Sequence, residues 1–108
     1  MPAPAAVAIT DVTVVDGTDA APTPHATVVI VGDRIDAVGV GATPPRGATT
    51  IEGTEKFLIP GLIDMHGHLC DASDRGLALL VANGVTGVRD LGGDLAVIDR
   101  WREQIADR

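Results

Sequence analysis

The sequence predicts a two-part α/β chain, and three observations carry that prediction. The first half is a series of short runs rich in β-branched residues, separated by Gly- and Pro-containing turns. The second half follows the order strand, helix, strand, helix, the alternation of a parallel sheet with crossover helices. Between the halves Pro60-Gly61 redirects the chain and the texture changes. The division falls at residues 1–58 and 59–108.

Val7 to Val15 reads as the first strand, ending at the turn signal Asp16-Gly17. A Pro-containing loop, Ala20 to His25, precedes a second strand starting at Ala26. That strand meets Gly32-Asp33 and returns as Arg34 to Val38, a tight hairpin in which Gly takes positive φ without steric cost. A Gly/Pro-rich loop (39–47) leads to a strand at Thr49 to Glu52. Phe57-Leu58-Ile59 then runs into Pro60-Gly61 and the strand Leu62 to His68. Arg75 to Asn83 has apolar residues at helical spacing and stops at Asn83-Gly84, a C-cap pattern. Val85 to Arg89 reads as a short buried strand. Asp94 to Ala106 reads as an amphipathic helix, with Leu95, Ile98, Trp101, Arg102 and Ile105 suitably spaced.

Composition narrows the function classes. The 108 residues are 45% apolar, enough for a small core, but Phe57 and Trp101 are the only aromatics. A net charge of −7 argues against non-specific nucleic-acid binding and against adhesion to an anionic membrane. No apolar run is long enough to span a bilayer, and Met1 to Ala6 lacks the basic start of a signal peptide. Cys70 is the single cysteine, so no internal disulfide forms. The cytoplasm is the expected location.

The chemistry concentrates in Asp64-Met65-His66-Gly67-His68. On an extended strand these alternate residues point one way, so Asp64, His66 and His68 share a face. Same-face neighbours lie roughly 6.5 to 7 Å apart at Cα. Imidazole arms close that gap on one ion, since zinc–nitrogen bonds are about 2.0–2.1 Å. A His-X-His pair alone is weak evidence, because many are solvated or hydrogen-bonded in a core. Its position is the stronger argument: the pair closes a strand of a parallel α/β array, where ligands bind at the carboxyl ends.

Ile59 to His68, IPGLIDMHGH, closely resembles the PG-x-x-D-x-H-x-H motif of the amidohydrolase superfamily. Leu80 to Gly93, LVANGVTGVRDLGG, resembles the "aGVTtvRDlGg" segment of its imidazolonepropionase-like and metal-dependent prolidase-like members. The resemblance implies the N-terminal part of a small β-sandwich followed by the first two β/α units of a (β/α)₈ TIM-like barrel, incomplete in this chain. It implies His66 and His68 as metal ligands and Asp64 as a supporting residue that orients a ligand. The cofactor is then one or two divalent metal ions. Zinc leads, and manganese, iron, nickel and cobalt remain compatible. The implied reaction is hydrolysis of a C–N bond (a non-peptide amide, cyclic amide or dipeptide-like bond) of a small-molecule substrate by metal-activated water.

The chain departs from the family in what it lacks. A barrel needs eight strand–helix units and about 250 residues, whereas two units are readable. No histidine follows His68, and Lys56, the only lysine, precedes the motif, so the bridging carboxylate, later histidines and late Asp base have no candidates. The isolated chain is therefore expected to be inactive, with no catalytic residue assignable, and to oligomerise or aggregate through an exposed strand edge.

Two other readings stay open: a non-catalytic remnant binding metal or a partner protein, and a structural domain whose histidines are only hydrogen-bonded. Arg89 is a possible contact for a substrate carboxylate, though a local structural contact is the simpler reading. His25 is expected exposed in its loop, and Cys70 as a buried or half-buried thiol. Asp71 and Asp74 are expected as helix caps.

Overall fold

Valines and isoleucines spaced for a pleated surface make the first strand, β1 (Ala6–Val14), the centre of the N-terminal sheet. In the computed structural model, which describes residues 5–69 and 74–107, the chain divides into two units, Met1–Pro60 and Gly61–Arg108. In the first, β1 pairs antiparallel with β2 (Thr23–Val31), and β2 pairs antiparallel with β3 (Arg34–Gly39). The other edge of β1 is taken in turn by two parallel partners, β4 (Thr49–Glu52) along Val7 to Thr10 and β5 (Phe57–Leu58) along Thr13 and Val14.

The hairpin between β2 and β3 is the expected one. Val31 pairs with Arg34, and Gly32 takes a φ of 61°, which a two-residue turn with glycine first requires. The core of this unit is small and aliphatic, made by Ala8 and Val12 of β1 and Ala26, Val28 and Val29 of β2.

The second strand begins three residues earlier than the sequence suggests. Thr23 pairs with Val14, so Pro24 and His25 belong to β2 rather than to a loop. Proline is tolerated because β3 pairs with β2 only from Thr27 onward, leaving this stretch without a strand partner on that side among the described residues. His25 is exposed, as expected, but it is hydrogen-bonded: its Nδ1 lies 2.7 Å from Asp11 Oδ1.

The second unit runs β6 (Leu62–Gly67), α1 (Asp74–Ala82), β7 (Val85–Asp90), α2 (Leu95–Ala106). β6 and β7 are parallel neighbours, as the alternating pattern predicts. α1 ends as its sequence indicates, with Gly84 at a φ of 81° and its N–H donating to Val81 O. α2 starts at Asp94, whose Oδ1 accepts the Ala96 N–H at 2.9 Å. Trp101 is the buried side chain of this helix.

Two expectations need correction. β7 is half-buried rather than buried, since Thr86 and Arg89 are exposed. β6 is irregular: Asp64 pairs with Val88 and Gly67 with Asp90, so three steps on β6 match two on β7. That extra residue is a bulge, and it breaks the simple alternation that put Asp64, His66 and His68 on one face. Cys70 and Asp71 lie outside the described residues, as does the side chain of Asp74.

Candidate metal centre

β6 ends at Gly67, so His66 occupies its last turn of pleat and His68 the residue just beyond it. Their ring centroids lie 5.5 Å apart with the planes at 61°, an edge-on pair. The two imidazoles therefore meet on one side of the strand end despite the bulge. Imidazoles sharing one tetrahedral zinc at about 2.0–2.1 Å place their ring centroids roughly 5 Å apart, close to the separation of this pair.

Three contacts hold the backbone that carries these rings. Asp64 Oδ1 accepts the His66 N–H at 2.9 Å. Beyond His68, the Leu69 N–H donates to Asp90 Oδ2 at 2.9 Å. Before it, Gly67 O accepts the Leu91 N–H, also at 2.9 Å. Gly67 itself is required by packing, because a Cβ there would stand 2.5 Å from Val88 Cγ1. The close neighbour is the side chain of Val88 on β7.

Arg89 turns back onto β6, its Nε donating to Met65 O at 2.9 Å. The carboxyl-end residues of both strands are thus tied to each other. A shallow concavity of about 470 Å³ opens beside His68, bordered by Asp64, Gly67, Leu79, Leu80 and Val88.

As a donor set, two imidazoles suit zinc, copper, iron or nickel. Among the described residues no group of three or more His, Cys, Asp and Glu gathers around one point. The pair fits an ion as part of a ligand set.

Sequence reasoning places Asp90, with Arg89, at the end of the second strand of this part as a residue able to face a substrate, but it misses the contact Asp90 makes. Nothing in spacing shows that a carboxylate 21 residues after Leu69 reaches its N–H. The one trace is Gly93: a Cβ there would lie 2.8 Å from the Asp90 carboxylate, so only glycine leaves that group its place.

No family profile matches the chain. Comparison with solved structures aligns 98% of it with 28% of a protein described as a prolidase from Bifidobacterium longum, at 28% identity and a TM-score of 0.82. Phenylurea hydrolase B matches over 95% of this chain and 28% of its own, at 29% identity and a TM-score of 0.75. Molinate hydrolase matches over 99% and 28%, at 25% identity and a TM-score of 0.77. Among curated proteins, the dihydroorotase of Trichlorobacter lovleyi is 43% identical over 44 residues, 41% of this chain and 10% of that protein. The chain thus spans little more than a quarter of the length of these solved structures. It is a mixed α/β chain similar to the N-terminal part of these amidohydrolase-superfamily structures.

Proposed function

We propose that this chain is the N-terminal portion of a metal-dependent amidohydrolase, and that His66 and His68 are two of its metal ligands. Residues 1–58 would form part of the β-sandwich, and 59–108 the first two β/α units of the barrel. The observation that carries the reading is the imidazole pair, 5.5 Å between centroids, at the carboxyl end of a parallel strand. The match to the front of several hydrolases supports it.

In this reading each residue has a physical task. His66 and His68 supply nitrogen donors, and Asp64 fixes the backbone of His66. The metal, when bound, supplies Lewis acidity and lowers the pKa of water toward about 7. Arg89 is available to face a substrate carboxylate only through the part of its guanidinium not spent on Met65 O. The relatives' names do not converge on one substrate, so the proposal stops at a C–N bond of a small molecule. The further ligands and the base would come from the rest of the protein.

The competing reading is a non-catalytic metal- or partner-binding role. It is favoured by one observation, that no third ligand joins the pair among the described residues. Metal analysis and amide hydrolysis by the whole native protein, against the variant His66→Ala/His68→Ala, test both. The proposal expects bound metal to fall by at least one ion per chain and kcat by at least about 100-fold, the several kcal/mol a Lewis acid contributes. Loss of metal from a protein with no hydrolytic activity selects the competing reading. Unchanged metal content contradicts the assignment of His66 and His68 as metal ligands in either reading.

A further inference from the structure

We infer that Asp90 is the positioning residue for His68, a task that rests on the metal-ligand reading above. His68 stands past the end of β6, where strand hydrogen bonding no longer fixes the backbone. Its two flanks are fixed instead by the end of β7. On one side Gly67 pairs with Asp90 in the ladder, and Gly67 O accepts the Leu91 N–H at 2.9 Å. On the other, the Asp90 carboxylate reaches across to take the Leu69 N–H at 2.9 Å. Residues 67 and 69 are thus both held by Asp90 and its neighbour, and residue 68 is bracketed between them.

The Asp90 carboxylate has little freedom to do anything else. Its Oδ1 is shielded from solvent, and Gly93 packs so closely that an added Cβ would stand 2.8 Å from Cγ, Oδ1 and Oδ2 alike. A carboxylate closed in this way holds one geometry, and that geometry sets where the His68 ring leaves the backbone. A ligand displaced by a fraction of an ångström loses its share of a metal bond of about 2.0–2.1 Å. Asp90 therefore acts on the metal through the main chain and touches neither ion nor substrate.

The test uses the whole native protein, stripped of metal and titrated with Co²⁺. Dissociation constant and visible ligand-field spectrum are recorded together. Asp90→Ala removes the acceptor and should weaken Co²⁺ binding by about 10- to 100-fold with an altered spectrum, the usual effect of losing a group that orients a ligand. Asp90→Asn keeps an acceptor oxygen for Leu69 and should restore most of the affinity and the native spectrum. Gly93→Ala displaces the carboxylate without changing Asp90 and should resemble Asp90→Ala. It also decides the matter, with Asp90→Asn, if circular dichroism shows that Asp90→Ala does not fold.

Wild-type affinity and spectrum in Asp90→Ala and Gly93→Ala would overturn the inference, as would an equal loss in Asp90→Asn and Asp90→Ala. The His66→Ala/His68→Ala variant separates the two levels. If it loses Co²⁺ while Asp90→Ala keeps it, only this inference fails. If it keeps Co²⁺, the metal assignment fails and this inference falls with it.

Discussion

Among the described residues, Asp11, His25 and Glu55 are the non-glycine residues at positive φ, at 54°, 52° and 60°. Left-handed backbone costs an ordinary residue about 1–2 kcal/mol, so something must hold these positions. At the first two it is visible: Asp11 Oδ1 pairs with His25 Nδ1 at 2.7 Å, and Asp11 Oδ2 accepts the Thr54 hydroxyl at 2.7 Å. Both residues lie where β1 and β2 shift register, so the contacts stitch a bulge. Those hydrogen bonds, His25 first and Thr54 second, hold the Asp11 carboxyl below its ordinary value. A carboxyl depressed in the folded state stabilises the fold above the ordinary carboxylate range and loses that effect as pH falls through the folded value. Urea midpoints measured between about pH 5 and 3 should therefore drop less in Asp11→Asn than in the wild type. An equal drop would show that the contact has no weight. Glu55 has no such visible support, and Glu55→Gly should raise stability by roughly 0.5 kcal/mol, strain relief exceeding the entropy of glycine. The exposure of His25 was legible in the sequence. Its partner was not, because a bulge places Asp11 and no periodicity announces a bulge.

Among elements, the order and type of the described strands and helices were legible except for the two-residue β5, since β-branched runs, turn glycines and helical spacing are local signals. Gly32 and Gly84 stand where their φ values demand glycine. The register of β6 against β7 was not legible. A strand's sequence states which residues are apolar, but the extra residue between Asp64 and Gly67 depends on what β7 presents opposite. The two imidazoles still meet across the shifted register, their ring centroids 5.5 Å apart. A close contact at this junction gives a prediction about packing. Gly67→Ala would push a methyl to 2.5 Å from Val88 Cγ1, an overpacking expected to cost about 1–3 kcal/mol and to weaken metal binding. Val88→Ala added to Gly67→Ala should recover much of both losses. A Gly67→Ala protein with wild-type melting temperature and metal affinity would contradict the packing account.

At the scale of the molecule, both units leave large apolar side chains in solvent. Phe57 is 71% exposed and Val40 69% in the first unit, Leu95 71% and Ile105 68% in the second. Apolar side chains left in solvent favour association when they gather into a patch. A preparation of these 108 residues alone should bind apolar-surface dyes and associate, whereas a monomeric, dye-negative and cooperatively unfolding chain would show that the faces need no cover. The count of two strand–helix units announced this exposure, but burial was not legible, because hydrophobic periodicity reports which face is apolar and never what covers it. The central claim is narrower: His66 and His68 jointly hold one divalent cation. Anomalous scattering from crystals of the metal-loaded native protein measures it directly. The account predicts a peak within about 2.0–2.1 Å of a nitrogen of each ring. Well-ordered His66 and His68 rings with no peak between them, in crystals where metal is bound elsewhere, would contradict it.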